Sequence, residues 1–169
     1  MNYTFLIVAA VVSTSLWAEQ RCYNLQASTP AERFVINADG TITDNATGLM
    51  WQRCSYGQQF DAELQSCSGA AQQLNWQQAL QSATNDEFAG FDDWHLPNSK
   101  ELASIVEHRC VEPSLNLDLF LDASNDNYWS STSAVTPADH AWVYEFYSGK
   151  NSLHAKSSDV FVRLVRYQQ

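Results

Sequence analysis

The stretch GFDDWHLPNSKELASIVEHRC, residues 90–110, contains the signals of a capped helix. Asn98 can accept hydrogen bonds from the free amides of a first helical turn, and Glu101 can bond back to the amide of the cap. Apolar residues then follow at the spacing of one helix face: Leu102, Ile105 and Val106. We therefore predict a helix that runs from Asn98 to about Arg109 and lays its apolar face on a sheet.

A second helix is predicted upstream, in LNWQQALQSATN, residues 74–85. Four apolar residues lie at the i, i+3, i+4 and i+7 positions of one face: Trp76, Ala79, Leu80 and Ala83. Asn75 can cap this helix, with Gln78 in the reciprocal position. We therefore expect it to begin near residue 76.

The segments around these helices indicate β-strands. Residues 34–52 alternate short apolar runs with turn signals at Asp39-Gly40 and Gly48, which is typical of a β-meander. Three later segments are rich in aromatic and β-branched residues: 128–132, 141–149 and 160–166. Residues 55–73 are polar and predict a loop. The predicted fold class is α+β, with two helices packed on a twisted, largely antiparallel sheet.

Length and charge limit the class of protein. A chain of 169 residues with 45% hydrophobic content is long enough for one sizeable core and short for two domains. The 19 acidic residues outnumber the 9 basic ones, and the formal net charge is -10. Such a chain repels phosphate backbones and anionic lipid surfaces, so we exclude nucleic acid as a partner.

The N-terminal residues indicate export. Residues 1–18 combine an apolar run with a small residue, Ala18, which is typical of a signal peptide with a cleavage position after it. This run is shorter than the roughly 20 apolar residues that span a bilayer, and we expect no transmembrane segment in the mature chain. Residues 19–33 are then a polar lead-in, and residues 34–169 form the domain.

The cysteine count agrees with export. An even number of cysteines favours two disulfides over free thiols: Cys22, Cys54, Cys67 and Cys110. The sequence allows three pairings. We favour Cys54 with Cys67, which closes a short loop, and Cys22 with Cys110, which ties the lead-in to the end of the helix that begins at Asn98. A zinc site is disfavoured, because no two cysteines have the spacing of roughly two to four residues that zinc ligands usually show.

Six blocks of the sequence occur in the order seen in a known family: GTITDNATGLMWQRC, NWQQAL, GFDDWHLPNSKELASIVE, YWSST, HAWVYEFYSG and VRLVR. Over roughly residues 34–166, the chain resembles the Lcl C-terminal domain, a family named from a bacterial collagen-like adhesin. His95 stands where the common family pattern D-W-R-L-P has arginine, so the role of that arginine does not carry over. The resemblance implies a C-type lectin-like fold, a periplasmic, secreted or cell-surface location in a bacterium, and, in the adhesin branch, binding to sulfated glycans.

A glycan-binding module is the predicted function. Sugar sites combine aromatic faces with polar or charged groups, and the C-terminal half of the chain is rich in both. The candidate ligand-binding residues are Trp129, Trp142, Tyr144, Tyr147, Lys156, Arg163 and Arg166. The three basic residues form a predicted patch that would hold sulfate despite the negative net charge.

Two other classes of function stay open. A structural or protein-interaction module of the cell envelope needs only a disulfide-linked surface, and its partner would be an envelope protein. An enzyme is the weaker alternative, because no nucleophile elbow surrounds Ser130 or Ser131, and we identify no catalytic residue. We expect no cofactor and no metal site; an acidic loop around Asp122 and Asp126 could take calcium, but no calcium motif supports it.

Overall fold

A computed structural model describes residues 19–168. The signal peptide predicted for residues 1–18 lies outside the described residues. The helices are α1 (Trp76–Thr84) and α2 (Ser99–Ala103). The strands are β1 (Arg21–Cys22), β2 (Phe34–Ile36), β3 (Thr41–Asp44), β4 (Leu49–Gln52), β5 (Gln59–Asp61), β6 (Ser66–Ser68), β7 (Gln73–Leu74), β8 (Cys110–Val111), β9 (Asn127–Ser133), β10 (His140–Glu145), β11 (Lys150–Ala155), β12 (Val160–Phe161) and β13 (Val165–Tyr167).

The strands form two main sheets. A five-stranded sheet has the order β11-β10-β9-β12-β7, and a four-stranded sheet has the order β13-β4-β3-β2. Two further ribbons pair β1 with β8 and β5 with β6. Among these paired strands, only β12 and β9 run parallel. The predicted α+β class, with two helices and mostly antiparallel sheets, is confirmed.

Two hydrophobic clusters cover the two faces of the five-stranded sheet. Tyr128 of β9 belongs to the first cluster, together with Leu102 of α2. The next residue, Trp129, belongs to the second cluster, together with Ala79 and Ala83 of α1. Because successive strand residues point to opposite faces, the two helices cover opposite sides of the sheet.

Both predicted helix caps form. Asn75 Oδ1 accepts a hydrogen bond from Gln78 N at 3.0 Å, and Asn98 Oδ1 accepts one from Glu101 N at 3.0 Å. In each case the side chain of the later residue bonds back to the amide of the cap. The predicted starts of the two helices are therefore confirmed.

The second helix is shorter than predicted. α2 ends at Ala103 instead of continuing to Arg109. Beyond it, the amide of Glu107 donates to Ser114 O at 3.0 Å, and its carboxylate accepts hydrogen bonds from the lead-in. The apolar side chains after Ala103 are still buried in the first cluster. The predicted apolar face is thus right and the predicted length is wrong, because the amides of Ile105 and Val106 bond three residues back, as in a turn, and the Glu107 amide bonds outside the helix.

The strand predicted for residues 160–166 is split between the two sheets. β12 pairs with β9 and β7, whereas β13 pairs with β4. Residues 162–164 lie between the two strands and are fully buried. Arg163, the charged residue among these three, is buried as well. The sequence therefore has no exposed polar residue at the point where one strand ends and the next begins.

Strands also occur where none was predicted. β11 pairs along its length with β10, although none of its six residues is buried. β5 and β6 form a hairpin inside the predicted loop of residues 55–73. Both lie at the margin of the structure and carry polar residues, so their sequences lack the apolar alternation of a half-buried strand.

Both predicted disulfides are present. Cys22 and Cys110 are facing partners of β1 and β8, and their bond joins the lead-in to the domain. Cys54 and Cys67 close the short loop that contains the β5–β6 hairpin. No cysteine among residues 19–168 is free.

Replacing Asn98 with alanine should lower the free energy of unfolding by about 1 kcal/mol, because the cap accepts from the amides of Lys100 and Glu101. Urea denaturation of the wild type and the variant measures this difference. The affinity for any ligand should not change, since Asn98 positions α2 only. A loss of affinity at unchanged stability would contradict this structural role.

Candidate functional site

The aromatic residues predicted to bind a ligand do not lie on one surface. Trp129 is fully buried, and its Nε1 donates to Leu74 O at 2.8 Å. Trp142 and Tyr144 are half-buried on the opposite face of the five-stranded sheet, where they alternate with buried residues of β10. Tyr147 is 49% exposed in the turn after β10. These four rings therefore do not form a single sugar-stacking platform.

Arg163 is a core residue and not a surface cation. Its side chain is fully buried, and the guanidinium carbon lies 5.0 Å from the ring centroid of Phe120. Its Nη1 donates to Gln52 O at 2.8 Å and to Arg53 O at 2.6 Å. Burial lowers the pKa of Arg163, and Tyr128 offsets part of that effect. The prediction that Arg163 contacts a ligand is therefore corrected: its guanidinium is buried and donates hydrogen bonds to backbone carbonyls.

Arg166 is also occupied inside the molecule. It is 5% exposed and forms a two-point ion pair with Asp93, in which Nη2 donates to Oδ2 at 3.0 Å. Its guanidinium carbon lies 3.9 Å from the ring centroid of Phe91. The basic patch predicted from Lys156, Arg163 and Arg166 is therefore not formed, because two of its three charges are buried.

Lys156 remains at the surface, in a cleft at the start of α1. Trp76, the first residue of α1, donates its backbone N–H to Lys156 O at 3.0 Å. The indole Nε1 of Trp76 donates to Ser130 O at 2.9 Å, which fixes the orientation of the ring. The Lys156 ammonium lies 4.4 Å from the centroid of that ring, within the range of a cation–π contact.

Two hydrogen bonds fix the ammonium of Lys156. Its Nζ donates to Ser133 Oγ at 2.7 Å and to Ala138 O at 2.8 Å, and both acceptors are uncharged. Nearby, a hydrogen bond with His140 lowers the pKa of Asp139, and the charge of Lys156 adds a smaller effect. Within residues 19–168, Lys156 forms no ion pair of its own. Its positive charge is therefore held in place but not neutralised by direct contact.

We call this depression the Trp76–Lys156 cleft. Its lining residues are Asn75, Trp76, Gln77, Leu80, Lys156 and Ser157, and its volume is about 450 Å³. An indole face, an aliphatic side chain, two amides, a hydroxyl and an ammonium thus share one concave surface. Such a mixture of an apolar wall with a few fixed polar groups is typical of small-ligand sites.

The family model for the Lcl C-terminal domain matches residues 40–166, a range that includes both helices and the Trp76–Lys156 cleft. The chain belongs to this family. The Lcl C-terminal domain is an adhesin-associated module, and the family resemblance seen in the sequence is confirmed. No curated protein matches the chain.

One aromatic residue of the candidate cleft in this Lcl C-terminal domain is not among the candidates that the sequence indicates. Trp76 was assigned to the buried face of α1, and it does pack partly against the second cluster. Its position directly after the Asn75 cap is readable from the sequence, but its contact with Lys156 is not. Lys156 was predicted as part of a basic patch, but its neighbour in the fold is Trp76.

The described part of this Lcl C-terminal domain contains neither a cluster of metal ligands nor a membrane-spanning helix. Within residues 19–168, no three His, Cys, Asp or Glu side chains come together in an arrangement that could hold a metal ion. Over the same residues, no helix has both the length and the apolar character needed to cross a membrane. The helices described, α1 and α2, contain nine and five residues.

Proposed function

We propose that this Lcl C-terminal domain is an exported, non-catalytic module that binds glycans through the Trp76–Lys156 cleft. The main support is the fixed ammonium of Lys156, 4.4 Å from the Trp76 ring centroid, in an open cleft of about 450 Å³. An aromatic face beside a small number of oriented polar groups is suited to a ligand that has both apolar and polar surfaces.

A sugar ring has these two kinds of surface. Its C–H groups form an apolar face that packs on an indole, and its hydroxyls both donate and accept hydrogen bonds. The half-buried Trp76 offers the indole, while the exposed Gln77 amide and Ser157 hydroxyl offer donors and acceptors. The cleft therefore matches a glycan better than it matches a purely apolar ligand.

Sulfated glycans are included in the proposal because of Lys156. Its ammonium can pair with a sulfate or carboxylate group of the sugar without first breaking an ion pair. An exposed ion pair contributes about 0.2–1 kcal/mol, so this single cation changes affinity by about fivefold at most. The salt dependence of binding should be correspondingly shallow, since one charge and not three takes part.

We further infer that the fold belongs to the C-type lectin-like class and that the domain acts in the periplasm or at the bacterial cell surface. Family membership supports both inferences. The two disulfides support the location, because such bonds persist in oxidising compartments outside the cytoplasm.

A glycan array probed with the disulfide-bonded protein and four variants tests the proposal. Trp76→Leu keeps apolar bulk but removes the ring, and it should weaken binding about tenfold or more. Lys156→Gln should weaken binding to sulfated or carboxylated glycans by up to about fivefold and leave uncharged glycans unchanged. Trp142→Leu and Lys150→Gln are matched controls, because they remove a tryptophan and a lysine that do not line the cleft. Both variants should bind glycans like the wild type.

The pattern of bound glycans should be the same with calcium and with a chelator, because no carboxylate lines the cleft. Melting curves for each variant separate lost binding from lost folding. Equal losses of glycan binding in Trp76→Leu and Trp142→Leu would contradict the proposal that the Trp76–Lys156 cleft is the binding site. A blank array from a cooperatively folded protein would contradict glycan binding itself.

A protein-interaction module of the cell envelope is the second candidate, and one observation favours it. Val35 and Ile36 of β2 are 49% and 51% exposed at the edge of the four-stranded sheet. An exposed apolar edge strand can pair with an extended segment of another chain. If the protein bound no glycan on the array, a protein-interaction module would be the better description of its function.

A further inference from the structure

A second cavity lies on the face of the four-stranded sheet that carries Met50, and it shares no residue with the Trp76–Lys156 cleft. Its volume is about 380 Å³. Met50 and Arg166 are cross-strand partners of β4 and β13, so their side chains share one face and form the floor. Phe91, Asp92 and Asp93 form the wall. We call it the Asp92–Asp93 cavity.

The geometry of the wall is fixed by Arg166. Its guanidinium stacks at 3.9 Å from the Phe91 ring centroid and bonds to both carboxylate oxygens of Asp93. The Asp93 side chain is nevertheless 38% exposed and lines the cavity. The same hydrogen bond with Arg166 lowers the pKa of Asp93, which is therefore ionised at neutral pH.

The cavity carries a negative charge that nothing within it balances. Arg166 is its one cationic lining residue and is already paired with Asp93. Asp92 is exposed, and among residues 19–168 no donor bonds to its carboxylate. The two aspartates and one arginine leave one negative charge in a chain whose net charge is -10. The complementary ligand is therefore a cation.

We propose that the Asp92–Asp93 cavity binds a cationic side chain, a lysine or arginine, of a protein partner. The carboxylates of Asp92 and Asp93 take the charged head by charge-assisted hydrogen bonds. Met50 and Phe91 contact the methylene stem, which long cationic side chains bury along apolar surface. A metal ion fits less well, because hard cations require more oxygen ligands than two carboxylates and avoid a thioether. This function is independent of glycan binding.

The test is a ¹H–¹⁵N titration of the disulfide-bonded protein with the peptide acetyl-Gly-Lys-Gly-amide. The matched probe contains norleucine in place of lysine, which keeps the methylene stem and removes the charge. The lysine peptide should shift the amides of Gly90, Asp92 and Asp93 in a saturable manner, and the norleucine peptide should not. Asp92→Asn should weaken this binding about fivefold, whereas Glu63→Gln, which removes an exposed charge from the β5–β6 hairpin, should leave it unchanged.

Three results would overturn the proposal: no shifts at these amides, equal shifts with both peptides, or equal losses in Asp92→Asn and Glu63→Gln. Equal losses would mean that the peptide responds only to the overall negative charge. Because Asp92 is exposed and has no partner among the described residues, Asp92→Asn should fold normally, which its amide spectrum would verify. Glycan binding is measured on other variants, so either function can fail without the other.

Discussion

Replacing Glu107 with glutamine should lower the free energy of unfolding by about 3 kcal/mol. The Glu107 carboxylate is 1% exposed and accepts five hydrogen bonds. The donors are the amides and hydroxyls of Ser28 and Thr29 and the amide of Arg109. Glutamine turns one acceptor oxygen into a donor that faces other donors, so it leaves buried groups unpaired.

The pH dependence of stability provides an independent check on Glu107. Burial alone would raise the pKa of Glu107, but the hydrogen bonds from Arg109, Thr29 and Ser28 outweigh it and lower the pKa from 4.5 to about 2. A lowered pKa in the folded state contributes stability that is present above pH 4.5 and is lost as the pH falls toward 2. The shift corresponds to about 3 kcal/mol.

Urea denaturation of the wild type and Glu107→Gln at pH 7 and pH 3 measures both effects. The gap between the two proteins should narrow by about 2 kcal/mol at pH 3, because most of the contribution of the carboxylate is lost there. Glu32→Gln, at an exposed position of the lead-in, should match the wild type at both values. A gap that stays constant with pH would show that the carboxylate is not the stabilising group.

Replacing Arg163 with methionine should lower the free energy of unfolding by about 3 kcal/mol or more. Methionine fills part of the space between the Phe120 and Tyr128 rings but cannot donate to the carbonyls of Gln52 and Arg53. Two buried acceptors then lose their partner, and each such loss costs about 1–3 kcal/mol.

Urea denaturation tests this role of Arg163, with Lys150→Met as the control for a loss of positive charge. The fraction of Arg163→Met that remains folded should bind glycans like the wild type, because Arg163 does not reach the surface. A stable Arg163→Met protein with lost binding would contradict the buried role and would restore Arg163 as a ligand residue.

The elements specified by local chemistry could be predicted from the sequence. The caps at Asn75 and Asn98 depend on neighbouring residues, and both form as predicted. The meander of residues 34–52 depends on apolar runs between turn residues, and it also forms. The length of α2 could not be predicted, because it is limited by contacts between Glu107 and residues almost 80 positions away, such as Ser28 with a separation of 79.

The candidate site was predicted less well than the fold, for a physical reason. Arginines close together in sequence suggest a surface patch, but Arg163 and Arg166 are each held by groups that the fold brings from far along the chain. The separations are 111 residues from Arg163 to Gln52 and 73 from Arg166 to Asp93. Likewise, the contact of Lys156 with Trp76 depends on tertiary structure, so the local sequence around either residue does not predict it.

A ¹H–¹⁵N map with the glycan that binds best on the array tests the claim that the Trp76–Lys156 cleft binds a glycan. The largest shifts should occur at the indole N–H of Trp76 and at the amides of Gln77 and Ser157. The indole N–H of Trp142, on the opposite face of the sheet, should not move. Shifts centred on Trp142, with the Trp76 indole unaffected, would contradict the claim and locate the site on the other face.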